Sequence, residues 1–182
     1  DGTSTTASTT VTSLSWTTTY TLRVSAVNAV GTGNASNVAS ATTVATTPGI
    51  PTGLSGIRGY QQVALTWTVP TDDGGSSIID YVVEYSSDSG TTWTTFSDGT
   101  STTASTTVTG LSAGITYSFR VAAVNSIGAG NGSSTTTATT ATTPAAPSGL
   151  GAIAATSAAT VDLAWTVPTD DGGSSIIDYV VE

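Results

Sequence analysis

The chain contains long internal repeats, and this feature restricts its possible folds more than any other. The segment DGTSTTASTTVT begins at Asp1 and again at Asp98, 97 positions later. The segment WTVPTDDGGSSIIDYVVE begins at Trp67 and again at Trp165, 98 positions later. Solenoid repeats are much shorter, roughly 20–50 residues. We therefore interpret this repeat as a whole domain that is copied end to end.

Two short proline-bearing segments, ATTPGIPTGL and ATTPAAPSGL, mark where one copy passes into the next. With boundaries at Pro48 and Pro144, residues 48–143 form one complete unit of the repeat. Residues 1–47 then correspond to the rear part of a preceding unit, and residues 144–182 to the front part of a following one. Because proline restricts φ and short proline-rich segments resist bending, we expect stiff connections between the units.

Apolar and polar residues alternate within residues 48–143, which is the side-chain period of a β-strand. Turn clusters rich in Gly, Asp and Ser separate the alternating segments, and the apolar spacing of a helix never persists for three turns. This pattern predicts an all-β sandwich of seven short strands with Greek-key connections. The residues expected to share one face within each of three strands are Val63, Leu65 and Trp67; Ile79, Tyr81, Val83 and Tyr85; and Tyr117, Phe119, Val121 and Ala123.

Three motifs follow one another in this unit: LTW with a proline-bearing DDGG loop, then IIDYVVEY, then LSAGITYSFRVAAVNSIGAG. Together they resemble a fibronectin type III module, in particular the bacterial and muscle-filament modules that carry a PxDDGGSxIxxYxVE loop. The resemblance covers the whole chain, with a part-module at each end. It implies tandem fibronectin-type-III-like sandwiches, and we expect strands A-B-E in one sheet and strands C′-C-F-G in the other.

The resemblance also implies roles for individual residues. Trp67 would be the core tryptophan of strand B, Tyr81 the core tyrosine of strand C, and Leu111 with Tyr117 the tyrosine corner. The Arg-Gly-Asp loop of some relatives is absent, because the loop after strand F reads NSIGAGNG. The counterparts of the four named residues in the part-modules are Trp165, Tyr179, Leu14 and Tyr20.

The charges of the chain argue against several classes of partner. The net charge is −9, and the three cationic residues, Arg23, Arg58 and Arg120, lie far apart in the sequence. Nucleic acids and anionic membranes bind clustered Lys and Arg, so neither is an expected partner. No apolar run approaches the roughly 20 residues that span a bilayer. Lysine and cysteine are absent, whereas 41 threonines and 25 serines are present, and this composition favours an extracellular or cell-surface location.

The residue types that catalysis needs are scarce in this chain. It has no His, Cys or Lys to act as a base or nucleophile, so we expect no enzyme activity, no catalytic residues and no cofactor. The aspartate pairs Asp72-Asp73 and Asp170-Asp171 have two interpretations. Calcium needs about six to eight oxygen ligands, whereas Asp before Gly suits a turn. We favour the turn, expect no metal site, and expect stability that does not respond to calcium.

Two further features have both a functional and a structural interpretation. Asn34 and Asn131 begin N-glycosylation sequons 97 positions apart, and the alternative is that both are ordinary loop residues. Arg23 and Arg120 are expected on the outward face of strand F, where they could form a recognition surface. We favour cross-strand pairing for Arg120, with Asp80 or Glu84 on strand C and stacking on Trp93 of strand C′.

These observations favour a structural role: a spacer of rigid modules in an extracellular filament, surface fibre or adhesin stalk. The alternative is an accessory carbohydrate- or partner-binding module of a secreted enzyme. That role predicts a planar row of exposed aromatic rings, yet Trp16, Tyr60 and Trp93 fall in different elements. Ice binding through a threonine ladder is weaker, because only one edge strand has the required pattern.

The two part-modules complement each other in the repeat. Glu182 matches Glu84 and Asp1 matches Asp98, so the repeat lacks only the counterpart of residues 85–97 between them, thirteen residues. We expect the front of one copy and the rear of the next to form a composite module, head to tail. Either separate chains complement one another, or the polypeptide is one continuous array.

Such a composite module would have a definite internal arrangement. Residues 176–182, as strand C, would lie beside residues 20–28, as strand F. Trp165 would pack on the sheet that contains Tyr20, and Arg23 would lie near Asp178 or Glu182. A head-to-tail contact of this kind does not close on itself, so it propagates a fibre.

Overall fold

The computed structural model describes residues 4–154 and 160–182. In these residues all regular structure is β-strand, and they include no helix long and apolar enough to cross a membrane. The strands, numbered along the chain, are Thr19–Leu22 (β1), Ala39–Thr42 (β2), Thr52–Gly59 (β3), Gln62–Thr68 (β4), Asp80–Ser86 (β5), Thr94–Phe96 (β6), Ser105–Thr109 (β7), Thr116–Asn125 (β8), Gly128–Ala129 (β9), Thr136–Thr139 (β10), Ser148–Ala154 (β11) and Val161–Thr166 (β12).

Strands β3 to β10 form a sandwich of two antiparallel sheets. One sheet has the order β3-β4-β7, and the other has the order β10-β8-β5-β6 with the two-residue β9 paired to β8. These orders correspond to A-B-E and G-F-C-C′, so the predicted all-β fold class and strand assignment are confirmed. The sequence pattern did not reveal β9, because two residues are too short to show an alternation.

The core lies between these two sheets and consists of the inward residues of their strands. Every second side chain of a strand points to the same face, which explains why alternate residues of β4 and β8 are the ones that enter the core. The ring centroids of Trp67 and Tyr81 are 5.0 Å apart in an edge-to-face contact, which is a preferred aromatic geometry. The buried apolar cluster comprises Val63, Leu65, Trp67, Tyr81, Val83, Val108, Leu111, Tyr117, Phe119, Val121 and Ala123.

One residue expected to share the inward face is not in the core. Ile79 is 48% exposed, whereas its neighbour Ile78 packs against the buried cluster. The reason is that β5 begins only at Asp80, so Ile78 and Ile79 belong to the preceding loop. The strict alternation of a strand does not apply there, and the prediction for Ile79 is wrong.

The tyrosine corner is present as expected. The hydroxyl of buried Tyr117 accepts a hydrogen bond from the backbone N–H of Ser112 at 3.1 Å. In the preceding copy the hydroxyl of Tyr20 accepts one from Ser15 N–H at 2.9 Å. Each tyrosine therefore ties the loop before its strand to the strand itself.

The turn between β5 and β6 is organised by Asp88. Its carboxylate accepts hydrogen bonds from the hydroxyls of Ser86 and Thr92, both at 2.6 Å, and from Thr92 N–H at 2.9 Å. These bonds, first the one from Ser86 and then those from Thr92, lower the pKa of Asp88 from 3.8 to about 2. The ionised form of Asp88 therefore holds this turn together.

The flanking strands pair in the same registers as their counterparts in the sandwich. Thr19 lies opposite Thr42, as Thr116 lies opposite Thr139. Strands β11 and β12 also repeat the pairing of β3 and β4, including a register shift near the start. Each flanking pair is a separate two-stranded sheet.

The apolar faces of these flanking pairs are exposed. Val24 is 67% exposed, whereas its counterpart Val121 is fully buried. In the described residues no strand forms over 8–12 or 176–182, although the sequence predicts strands E and C there. A strand needs a hydrogen-bonding partner on its edge, and the sequence assigns that partner to a neighbouring copy, so the composite module remains a prediction.

Candidate module joint

The joint between the first flanking segment and the sandwich lies against a loop of the sandwich. We call residues 45–51 the first joint and residues 71–77, between β4 and β5, the first DDGG loop. The backbone N–H of Thr46 donates to Gly74 O at 2.8 Å, and the N–H of Gly49 donates to Asp72 O at 2.8 Å. Two hydrogen bonds thus attach the joint to the loop.

The aspartates of this loop shape a tight turn, as the sequence indicates. The Asp72 carboxylate accepts a hydrogen bond from Gly74 N–H at 2.9 Å, and the Asp73 carboxylate accepts one from Gly75 N–H at 2.8 Å. Both glycines have φ values in the left-handed region, +71° and +78°, which glycine adopts at little cost. The carboxylates are therefore used as acceptors for the loop's own backbone.

The first glycine of the loop is needed for a second reason, which is close approach. A Cβ atom on Gly74 would overlap the carbonyl oxygen of Thr46 in the joint. The same overlap would occur between Gly172 and Thr142 at the next joint. Only glycine lets the two backbones lie this close together, so these residues make the joint hydrogen bonds possible.

Asn125, at the end of β8, connects the joint to two loops of the sandwich. Its side-chain amide donates to Thr46 O at 2.7 Å and to Asp73 O at 2.8 Å. Its amide oxygen accepts from the N–H groups of Ile127 and Gly128. The residue is only 2% exposed, and a buried polar group in such a network rigidifies its surroundings when it is fully paired.

Trp16 of the preceding copy also contacts the first DDGG loop. Its indole Nε1 donates a hydrogen bond to the Asp72 carboxylate at 2.9 Å. Its side chain lies against Gly75, where an added Cβ would overlap Trp16 Cβ and would be 3.1 Å from Trp16 Cγ. A residue from one copy of the repeat thus packs on the loop of the next copy.

The second joint, residues 141–147, repeats the backbone arrangement of the first. It lies against the second DDGG loop, residues 169–175. Thr142 N–H donates to Gly172 O at 2.8 Å, and Ala145 N–H donates to Asp170 O at 3.0 Å. The two joints differ in their side chains, TTPGIP against TTPAAP, so the backbone and the loop determine this geometry.

The outward face of β8 carries the pairing that the sequence predicts for Arg120. Arg120 Nε donates to Glu84 at 2.7 Å, and its guanidinium lies 4.2 Å from the ring centre of Trp93. Asp80, the other candidate partner, instead accepts a hydrogen bond from Ser101 N–H at 3.0 Å. Both members of the ion pair are partly exposed, so its contribution to stability is small, about 0–1 kcal/mol.

The remaining residues considered from the sequence do not form a shared site. Asn34 and Asn131 are exposed and lie outside strands. Arg23 is exposed and lies directly after β1, outside the strand. Within residues 4–154 and 160–182, no three His, Cys, Asp or Glu side chains converge where they could hold a metal ion.

Sequence reasoning missed the part of this structure that joins the copies. Trp16 and Asn125 received no role at the joint, because each lies far in sequence from the loop it contacts. One signal could have revealed the joint. The DDGG loops and the proline segments recur together, and Asn125 has a counterpart in Asn28 within the repeated VNxxG motif.

Comparison with known proteins identifies a family and several relatives with similar sequences. The family model described as "Fibronectin type III domain" matches residues 49–140, about half of the chain. Drosophila melanogaster titin is 32% identical over 123 residues, covering 66% of this chain and 1% of that protein. Human myomesin-2 is 30% identical over 171 residues, covering 90% and 12%. Exoglucanase B of Cellulomonas fimi is 33% identical over 143 residues, covering 75% and 12%.

Solved structures with a similar fold include proteins of the same kind as the sequence relatives. A crystal structure of several titin domains has a TM-score of 0.50 and 32% identity, and the match covers 58% of this chain and 38% of that one. Domains d3–d4 of rat CD45 have a TM-score of 0.51 at 21% identity, covering 77% and 73%, which shows the fold alone.

The fold and the relatives define the class of protein. Residues between the two joints form an antiparallel two-sheet sandwich module, a class in which the sheets supply a core and the loops supply contacts. The chain belongs to the fibronectin type III domain family. It spans only a small fraction of the length of the relatives named above.

Proposed function

We propose that this chain is a structural spacer in which fibronectin type III modules are held in series by rigid joints. The observation that carries the proposal is the attachment of each joint to the DDGG loop that follows it, by two backbone hydrogen bonds in both places. A joint bonded in this way restricts rotation between neighbouring modules. Restricted rotation is what a spacer needs in order to keep a defined length.

Three observations support a role in a filament, a surface fibre or an adhesin stalk outside the cell. The same joint occurs twice, so the arrangement can propagate along an array. The polar surface is built from Thr and Ser rather than Lys. Titin and myomesin-2, two of the similar proteins, match 66% and 90% of this chain. We extend to this chain the structural, non-catalytic role that these relatives suggest.

The partners in this proposal are neighbouring copies or repeats of the chain itself, arranged head to tail. The apolar face of β11–β12 includes Leu163, which is 39% exposed although its counterpart Leu65 is buried. Strands of the same repeat are complementary to this face, as the central sandwich illustrates. The mass of the natural protein under denaturing conditions distinguishes the two forms: near 17.9 kDa for separate chains, and far larger for a continuous array.

A second candidate function is an accessory module of a secreted carbohydrate-active enzyme. The similarity to exoglucanase B favours it. Against it, among the described residues Trp93 lies under Arg120 and Trp16 contacts Asp72, so these rings do not form a shared planar surface. Retention of the chain on crystalline cellulose would favour this second function, and we expect no retention.

The spacer function can be tested with one substitution and a matched control. Gly74→Ala places a Cβ against Thr46 O, whereas Gly110→Ala has a similar positive φ of +74° and no heavy atom within 4 Å. Both variants carry the same backbone strain, but only the first disrupts the joint. Amide hydrogen exchange, measured by NMR, reports the joint directly through the N–H groups of Thr46 and Gly49.

We expect Gly74→Ala to abolish the protection of these two amides and to leave the second joint unchanged. Gly110→Ala should leave both joints protected. If the unaltered chain shows no protection at Thr46 and Gly49, or if Gly74→Ala behaves like Gly110→Ala, the rigid-joint function is wrong.

A further inference from the structure

Asn131 is the one asparagine of this chain that precedes a glycine, whereas the other four precede Ala, Val or Ser. The side-chain amide of asparagine is one of the thermolabile groups of proteins. It is lost when the backbone nitrogen of the next residue attacks the amide carbon. A following glycine favours that attack, because glycine has no Cβ to crowd its nitrogen. Whether the folded chain reacts depends on the hydrogen bonds and the exposure of Asn131 and Gly132.

Asn131 and Gly132 lie on a β-bulge beside β8. The backbone N–H groups of Gly130 and Ser133 donate, each at 2.8 Å, to carbonyl oxygens of two β8 residues that are two positions apart. Because the donors are three positions apart, one extra residue is accommodated between them, and such a residue is left out of the ladder. Within the part of the chain that the structure describes, neither Gly132 N–H nor the Asn131 side chain has a hydrogen-bond partner. Both residues are exposed.

Ser133 fixes the chain directly after this pair. Its hydroxyl accepts a hydrogen bond from Val121 N–H at 3.1 Å and donates one to Ser134 O at 2.8 Å. The residue is 9% exposed, so the serine of the sequon has a structural role of its own. Asn131 and Gly132 are therefore the unbonded stretch between two attached residues.

The preceding copy contains the same bulge with a different residue after its asparagine. The N–H groups of Gly33 and Ser36 again donate at 2.8 Å to residues two positions apart, and the Ser36 hydroxyl makes the same two side-chain bonds as Ser133. Asn34 occupies the equivalent position, but Ala35 follows it. Asn34 is thus a matched comparison in which the next residue carries a methyl group.

Two other asparagines are held by hydrogen bonds of their own. The side-chain oxygens of Asn28 and Asn125 each accept bonds from the N–H groups two and three residues further on. These bonds must break before the side chains can turn towards the next backbone nitrogen. We therefore expect both residues to outlast Asn131.

We propose that Asn131 is a site of spontaneous covalent modification, at which the folded chain loses ammonia and gains a carboxylate. The deprotonated backbone nitrogen of Gly132 attacks Asn131 Cγ and closes a succinimide ring. The Cγ–Nδ2 bond breaks, and ammonia leaves with a proton taken up from water. A second water molecule then opens the ring. Cleavage of the new N–Cγ bond gives aspartate, whereas cleavage of the original peptide bond gives isoaspartate, in which the chain continues through Cγ.

The modification changes the charge of the module next to an existing ion pair. Either product carries one negative charge more than asparagine does, in a chain whose net charge is already −9. A Cβ on Gly132 would lie 3.6 Å from Arg120 Cδ, so the bulge lies against the stem of the side chain that pairs with Glu84. This inference goes beyond the spacer function and does not depend on the joints.

The test follows the charge and the mass of the whole chain during incubation at mildly alkaline pH, where more of the Gly132 nitrogen is deprotonated. Isoelectric focusing counts the added charges, and mass spectrometry of peptides locates the lost ammonia. We expect one added charge per chain, located at Asn131, while Asn34 stays intact. Conversion should slow at mildly acidic pH. Asn131→Asp provides the reference for the aspartate product.

Two reciprocal substitutions assign the reaction to the residue after the asparagine. Gly132→Ala should suppress conversion of Asn131. The fold should tolerate this variant, because Gly132 has no left-handed φ and the added Cβ meets Arg120 Cδ at an ordinary contact distance of 3.6 Å. Ala35→Gly should make Asn34 convert as Asn131 does, because the two bulges have the same hydrogen bonds.

Incubation in urea separates the contribution of the fold from that of the Asn-Gly sequence. If Asn131 converts in urea but stays intact in the folded chain, the bulge protects it and the proposal is wrong. If Gly132→Ala does not slow the conversion, or if Asn34 converts as fast as Asn131 in the folded chain, the attack by Gly132 is wrong. A glycan on Asn131 of the natural protein would also overturn the proposal, because the amide would then be substituted.

Discussion

Replacing Asn125 by Asp tests whether the joint contributes to the stability of the sandwich. The two side chains have almost the same shape, but a carboxylate cannot donate hydrogen bonds. The amide of Asn125 donates to Thr46 O at 2.7 Å and to Asp73 O at 2.8 Å, and the residue is 2% exposed. In Asn125→Asp a buried carboxylate therefore faces two carbonyl oxygens without a proton between them.

The expected cost follows from the two lost bonds. Each contributes about 0.5–1.5 kcal/mol net, and leaving a buried partner unsatisfied raises the cost to about 1–3 kcal/mol. We expect a loss of about 2–4 kcal/mol in the free energy of unfolding. For a module of about 60–100 residues, each kcal/mol lowers Tm by about 4–8 °C, so Tm should fall by at least about 8 °C.

The assay is thermal unfolding followed by tryptophan fluorescence, with Asn131→Asp as the control. Asn131 lies in an exposed loop of the same module, so the same chemical change there should cost less than about 0.5 kcal/mol. At acid pH the protonated carboxyl regains one donor, and the difference between the two variants should shrink. Equal melting temperatures for the two variants at neutral pH would refute the role of Asn125.

Two further predictions concern parts of the module away from the joint. Tyr117→Phe leaves a backbone N–H of the tyrosine corner without its acceptor and should cost about 1–2 kcal/mol in urea denaturation, whereas Tyr60→Phe, at an exposed ring, should cost less than about 0.5 kcal/mol. Equal costs would contradict the tyrosine corner. The hydrogen bonds from Ser86 and Thr92 hold the pKa of Asp88 at about 2 instead of 3.8. The ionised Asp88 carboxylate therefore stabilises the module fully above pH 3.8, and this stabilisation disappears as pH falls through about 2. Melting curves from pH 5 to 2 should therefore show a higher Tm for the unaltered chain than for Asp88→Asn, and this difference in Tm should shrink as pH falls. A difference in Tm that does not depend on pH would refute the stabilising role of the ionised Asp88.

Much of the fold follows from the sequence, because apolar and polar residues alternate along the strands and this alternation can be recognised directly. Val63, Leu65 and Trp67 were expected on one face and are all buried. The strand order required the resemblance to a family, since alternation alone does not identify neighbours. Ile79 was misplaced because alternation cannot locate the residue at which a strand begins.

The joint was harder to predict than the sandwich. Its hydrogen bonds link residues far apart in sequence, such as Asn125 and Thr46, which are 79 positions apart. The turn formed by Asp72 and Asp73 was predictable, because its bonds span two residues. That a neighbouring backbone lies against the same turn depends on how whole copies are arranged, and no local pattern encodes this.

One segment shows which features the sequence determines and which the tertiary structure determines. Its 18 residues occur twice without a change, at 67–84 and 165–182. Both copies form the same DDGG turn. Both also bring their tryptophan and tyrosine rings together, with centroids 5.0 Å apart in one copy and 5.1 Å in the other. These contacts lie within the segment, so the sequence by itself determines them.

The strand in this segment was decided only by the tertiary structure. Residues Asp80–Ser86 form β5, which pairs with β6 and β8, and Val83 is fully buried. The corresponding residues 178–182 form no strand in the described structure, and Val181 is 62% exposed. The physical reason is that the hydrogen bonds and the burial of a strand come from other strands. The same residues therefore form a strand only where those partners lie against them.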